Sequence, residues 1–193
     1  MNYLLLIIGW AVYLSLHSLL ASEPIKLRIM QTCALNTTRY RLMYSSIATI
    51  GLAALIYLIF RMDEPLLFIP PLLLQVVAVI CTLAGAVIFY AAFRQYSFTA
   101  FLGLSSELQT TLKTNGILNY VRHPLYSATL LWLLAYVLLI PNVPALISAA
   151  CILIYLPIGI KLEERKLIRQ FGAAYEAYRQ RVPAVLPHLP SVF

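Results

Sequence analysis

Two short runs place charge inside otherwise apolar sequence, Arg122-His123-Pro124 and Glu163-Glu164. In the first, Asn119-Tyr120-Val121-Arg122-His123-Pro124-Leu125-Tyr126 leads into an apolar stretch, and Pro124 stands where a first helical residue is expected. The unpaired amides of that first turn, the positive end of the helix dipole and the Arg122 guanidinium together suit a carboxylate or phosphate. A plainer reading is a helix start flanked by a snorkelling arginine. In the second run, Glu163 and Glu164 sit one turn before Leu167 and Ile168. If the helix runs on, Leu167, Ile168, Phe171, Tyr175 and Tyr178 share one face, with Arg165, Lys166, Arg169, Gln170, Ala173 and Glu176 on the other. Both carboxylates then point along the apolar face, where unpaired charge is costly, so a cation is expected beside them. Arg122, Lys161 or Arg165 would serve as ion-pair partners, and so would the ammonium of a ligand.

The elements that position these groups follow from composition. Of 193 residues, 62% are hydrophobic and 11% charged, which places the chain in lipid rather than among soluble domains. Five apolar stretches are long enough to cross a bilayer as helices, at about 2–22, 42–60, 68–93, 124–140 and 143–160. The first ends Leu-Leu-Ala-Ser like a signal peptide, but it has no basic start and its apolar run is too long, so it reads as a span. No two-residue alternation suggests barrel strands and no repeat is visible. The expected fold is therefore an all-α polytopic bundle of about five transmembrane helices with a C-terminal cytoplasmic amphipathic helix. It reads as a single membrane domain over 1–193. A three-span part covers 1–93, a connector 94–123 lies partly in the membrane interface through Phe98, Phe101 and Leu102, and a hairpin with tail covers 124–193.

Of the fourteen Lys and Arg, all but Arg61 fall in 23–41, 94–123 or the tail from 161. The positive-inside rule then puts the N-terminus outside and the C-terminus in the cytoplasm. The same distribution attributes the net charge of +7 to membrane topology and argues against a nucleic-acid partner. Cys33, Cys81 and Cys151 are widely spaced among apolar residues and read as packing groups, with neither a disulfide framework nor a metal pattern. The turn Pro141-Asn142-Val143-Pro144 makes the last two spans a hairpin, which brings the anion site of Arg122 and the cation site of Glu163-Glu164 to one membrane boundary. A zwitterion fits that pairing, and S-adenosylmethionine, with its carboxylate, ammonium and sulfonium, is a cytoplasmic molecule of this kind.

Read together, Gly116-Ile117-Leu118-Asn119-Tyr120-Val121-Arg122-His123-Pro124-Leu125-Tyr126-Ser127, Glu163-Glu164, Phe171-Gly172-Ala173-Ala174-Tyr175-Glu176-Ala177-Tyr178 and Arg181-Val182-Pro183 resemble the isoprenylcysteine carboxyl methyltransferase family over about residues 115–187. The resemblance implies S-adenosylmethionine as cofactor, held by Arg122, His123, Tyr126, Glu163 and Glu164. It implies catalytic roles for Arg122 and for Arg181, the latter orienting the acceptor's nucleophile. His17-Ser18-Leu19-Leu20-Ala21-Ser22 and Tyr40-Arg41-Leu42-Met43-Tyr44 look like the bacterial methanethiol S-methyltransferase branch, which makes His17 a candidate substrate contact; a histidine packed and hydrogen-bonded against a neighbouring helix is the alternative. The additional N-terminal spans of the eukaryotic enzymes are lacking, which weighs against a prenylated protein as acceptor. The expected acceptor is a thiol or carboxylate of a small or lipophilic molecule that enters from the bilayer, in a bacterial inner membrane. Two rivals remain: an NADPH-dependent reductase like the membrane sterol reductases, which share an Arg-His element but carry Tyr-Gly where Phe171-Gly172 stands here, and a non-catalytic membrane sensor or accessory protein.

Overall fold

Helices account for nearly all the secondary structure of the computed structural model, which describes residues 2–95 and 111–187. In order they are α1 (Asn2–Ala21), α2 (Glu23–Thr32), α3 (Thr37–Met62), α4 (Leu72–Phe93), a 3-10 turn at Gly116–Asn119, α5 (Pro124–Leu139), α6 (Val143–Phe171) and α7 (Ala173–Arg181). This is the all-α membrane bundle expected. Four helices, α1, α3, α4 and α6, are long and apolar enough to cross a membrane. The fourth expected span, α5, has 16 residues, so it rises about 24 Å where the hydrocarbon is about 30 Å thick. The interfacial placement expected for Phe98, Phe101 and Leu102 lies outside the described residues.

The helices fall into two compact units. In the first, α1, α2 and α3 join residues 142–155, which include the opening part of α6. Leu6 and Trp10 of α1 are buried with Leu55 and Met62 of α3, and Ile147, Cys151 and Ile152 of α6 pack against them. The Trp10 indole donates to Ser148 Oγ at 3.0 Å, Ser18 is hydrogen-bonded to the Tyr155 hydroxyl, and Tyr40 donates to the Leu20 carbonyl at 2.6 Å. These bonds satisfy polar groups where water is absent. The outer faces carry Leu4, Ile8, Ile50 and Phe60, the last 80% exposed, as a lipid-facing surface requires. Within the basic segment 23–41, residues Glu23–Thr32 form a helix, started by Pro24 in its first turn. Asn36 then caps α3 by accepting the Arg39 amide at 2.8 Å.

The second unit holds α4, α5, the closing part of α6 and α7. Its spine is the pairing of α4 with α5. Ala78, Gly85 and Ala92 recur every seven residues on α4, and Ala128 and Ala135 do so on α5, so the two backbones approach closely. Trp132 fills the gap: a Cβ added at Gly85 would stand 2.6 Å from the indole nitrogen, which donates to the Thr82 carbonyl at 3.2 Å. Phe89 packs on the same indole, with ring centroids 5.2 Å apart.

The expected continuation of α6 through Tyr178 does not occur. The helix stops at Phe171, because Gly172 adopts φ 55° and ψ −134°, and α7 starts afresh as a separate nine-residue helix. Cys33 is exposed rather than packed, since it lies just past the end of α2, whereas Cys81 and Cys151 are half-buried.

Candidate functional site

The second unit brings together Arg122, His123 and Glu164. His123 occupies the cap position of α5 and Pro124 the first helical position. Glu164 lies past the apolar part of α6, whose hydrophobic run ends at Ile160. Arg122 Nε donates to Glu164 Oε1 at 3.0 Å and Nη2 donates to the same oxygen. The His123 ring is buried, with Nε2 3.3 Å from Glu164 Oε1 and Nδ1 3.4 Å from Glu163 Oε2. Arg179 of α7 adds a longer contact, Nη1 to Glu164 Oε2 at 3.8 Å. Tyr126 stacks obliquely on His123, with centroids 5.6 Å apart.

The two glutamates divide. Glu164 is 12% exposed in its side chain and Glu163 is 48% exposed, so only one carboxylate follows the inward face. That is a correction to the shared orientation expected for the pair, and its cause is the helical rotation of 100° between adjacent residues. Burial pushes the Glu164 carboxyl up, but hydrogen bonds and charge from Arg122 and His123 outweigh it and hold the group below its usual range.

The open gap expected between an anion site and a cation site is closed in this structure. Arg122 reaches Glu164 directly, and its remaining donors go to the tail: Nη1 donates to the Arg179 carbonyl at 2.9 Å and to the Val182 carbonyl. The chain after α7 lies against the entrance to α5. The Arg122 amide donates to the Pro183 carbonyl at 2.9 Å, the His123 amide to the Ala184 carbonyl at 2.9 Å, and Ser127 Oγ to the Val185 carbonyl at 2.6 Å. Tyr178 donates to the Leu118 carbonyl at 2.6 Å, and burial pushes its phenol up to about 12. The Arg122 and His123 amides, which precede the first helical turn, are thus satisfied by tail carbonyls.

Arg181 stands apart from this cluster: it is exposed, and its Nε donates to the Ala177 carbonyl one turn back at 3.3 Å. His17 belongs to the first unit. There the Tyr44 hydroxyl lies 3.0 Å from its Nε2, and the Tyr13 and Tyr44 rings flank it at 6.0 and 5.3 Å. Sequence reasoning did not single out Arg179, Ser127 or the tail carbonyls. Backbone acceptors leave no residue-type signature, and Arg179 lies among five other basic residues of the tail.

A sequence model described as NnrU protein matches residues 5–191. The chain belongs to the NnrU protein family. Among curated proteins, this NnrU family member is 34% identical over 95 residues to the protein-S-isoprenylcysteine O-methyltransferase of Schizosaccharomyces pombe, covering 49% of this chain and 40% of that protein. It is 38% identical over 78 residues to the methanethiol S-methyltransferase of Crocosphaera subtropica, covering 40% and 29%. A protein-S-isoprenylcysteine O-methyltransferase B of Arabidopsis thaliana is 33% identical over 92 residues, 47% of each chain. The match spans less than half the length of each of these relatives. They bear out the resemblance read from the sequence. No solved structure matches the chain.

Proposed function

We propose that this NnrU family member is an integral membrane methyltransferase that uses S-adenosylmethionine and methylates a thiol or carboxylate of a small or lipophilic acceptor. The observation that carries the reading is the cluster Arg122, His123, Glu163 and Glu164 in a chain whose relatives are named for methyl transfer. The donor set suits an amino-acid zwitterion: Glu163 offers a half-exposed carboxylate to an ammonium, and Arg122 at the entrance to α5 offers positive charge to a carboxylate. Tyr126, stacked on His123, closes one side. When bound, S-adenosylmethionine supplies an activated methyl group, so the protein needs no nucleophile of its own.

What the chain contributes is alignment and charge. Arg122 and His123 fix Glu164, so that its carboxylate is preorganised rather than reoriented on binding. Arg181, exposed beyond the cluster, is the residue we assign to the acceptor's anionic nucleophile; a thiol, ordinarily titrating at about 8.5, is ionised more readily beside it. Within the first unit taken by itself, His17, hydrogen-bonded to Tyr44, is the residue we propose as a substrate contact. The N-terminus is placed outside and the C-terminus in the cytoplasm of a bacterial inner membrane, with cofactor entry from the cytoplasm and acceptor entry from the bilayer.

Calorimetry of S-adenosylhomocysteine with detergent-purified protein tests the reading. Micromolar binding is expected, with Glu163→Gln weakening it about tenfold without loss of folded protein, since that side chain is half-exposed. Folded wild-type protein that binds NADPH but not S-adenosylhomocysteine would point to a reductase, and binding without transfer to any apolar thiol or carboxylate would point to a sensor.

A further inference from the structure

Tyr175 buries a hydroxyl whose proton has no acceptor among the described residues. Its side chain is 1% exposed, and among the described residues its hydroxyl has no hydrogen-bond partner. Its neighbour Tyr178, one turn on and equally buried, spends its own hydroxyl on the Leu118 carbonyl. The contrast matters because a buried hydroxyl without a partner costs free energy, and such groups are rare unless something absent completes them. The Tyr175 phenol lies in the field of Arg122, Glu164 and Glu163: burial first, then the Glu164 charge, push its titration well above the ordinary value, and Arg122, by its charge and as a donor facing the phenol oxygen, opposes them without offering the O–H an acceptor. At neutral pH it is a donor in search of an acceptor.

The acceptor it lacks is indicated by its neighbour. Arg122 Nη1 is occupied by the Arg179 and Val182 carbonyls, from the last turn of α7 and the residue that follows it. Neutral carbonyls are weaker partners for a guanidinium than a carboxylate is. A ligand carboxylate that displaced them would pair with Arg122 and place an oxygen where the phenol can donate to it. We propose that the Tyr175 hydroxyl is a ligand contact, which donates to the carboxylate of an amino-acid-type methyl donor once that carboxylate replaces the tail carbonyls on Arg122. The inference rests on the methyltransferase reading above and adds a residue and a ligand group to it.

The test compares two ligands on the full chain in detergent, wild type against Tyr175→Phe. S-adenosylhomocysteine carries the carboxylate; 5′-methylthioadenosine has the same nucleoside thioether without the amino-acid end. Removing the hydroxyl is expected to weaken S-adenosylhomocysteine about five- to tenfold, to leave 5′-methylthioadenosine unchanged, and to leave the ligand-free melting temperature unchanged or raised. Equal weakening of both ligands, or unchanged affinity for both, overturns the proposal while the methyltransferase reading stands. Loss of folded protein on removing that single oxygen also overturns it, because the hydroxyl would then have a structural partner. Failure of the wild type to bind S-adenosylhomocysteine overturns both readings together.

Discussion

The two units solve the problem of polar groups in an apolar chain in opposite ways. In the first, the bonds that join one helix to another are between neutral partners, Trp10 to Ser148, Ser18 to Tyr155, Tyr40 to Leu20 and Tyr44 to His17, and the ion pair of Lys26 with Glu23 stays within α2. In the second, a partly buried guanidinium and a partly buried carboxylate meet, with a buried imidazole and tail carbonyls around them. Neutral bonds suit the middle of a bilayer, where each is worth little beyond satisfying its own atoms. Ion pairs suit the end of a span, where a charged ligand can reach them. The first unit is thus built to hold helices together, and the second to hold charge in a fixed geometry.

The largest break in that contrast is expected from Glu164→Gln. It leaves the Arg122 guanidinium, 10% exposed, without its counter-charge, and unfolding in detergent should show a loss of about 3 kcal/mol. Next comes Gly85→Val, which forces side-chain atoms against Trp132 and parts α4 from α5; about 2 kcal/mol is expected in the same assay. The smallest is Ser148→Ala, where the indole of Trp10 loses a neutral partner, at about 0.6 kcal/mol.

Acid sharpens the comparison without mutation. The folded Glu164 carboxyl titrates below its ordinary 4.5, so the unfolded chain takes up the proton first. The stability this group contributes is complete above about pH 4.5 and drains as pH falls through the lower folded value. Wild type should therefore lose stability on acidification faster than Glu164→Gln, and superimposable pH profiles would show that Glu164 has no such role.

Much of this was legible because charge is rare in the chain. Arg122-His123 and Glu163-Glu164 stand out against an apolar background, and the spans follow from length and hydropathy. Less visible was which helix α5 would lean on: Ala78, Gly85 and Ala92 mark a smooth face on α4, but a smooth face does not name its partner, and the sequence-adjacent hairpin drew attention to α6 instead. The docking of the tail was hidden for a different reason, since the Pro183, Ala184 and Val185 carbonyls would be present whatever residues stood there. Gly172 was visible as a glycine but not as a break, because α-helical residues around it tolerate continuation.

That glycine selects handedness rather than size. No atom lies within 4 Å of where its side chain would begin, so there is room for a methyl group. Yet φ 55° with ψ −134° is the mirror image of the extended polyproline conformation, comfortable for a D-residue and strained for an L-residue. A protein made by chemical ligation with D-alanine at 172 should keep the joint between α6 and α7, whereas the ribosomal Gly172→Ala protein should strain it by about 1–2 kcal/mol. The joint is a stereochemical instruction carried by the one achiral residue, written in empty space.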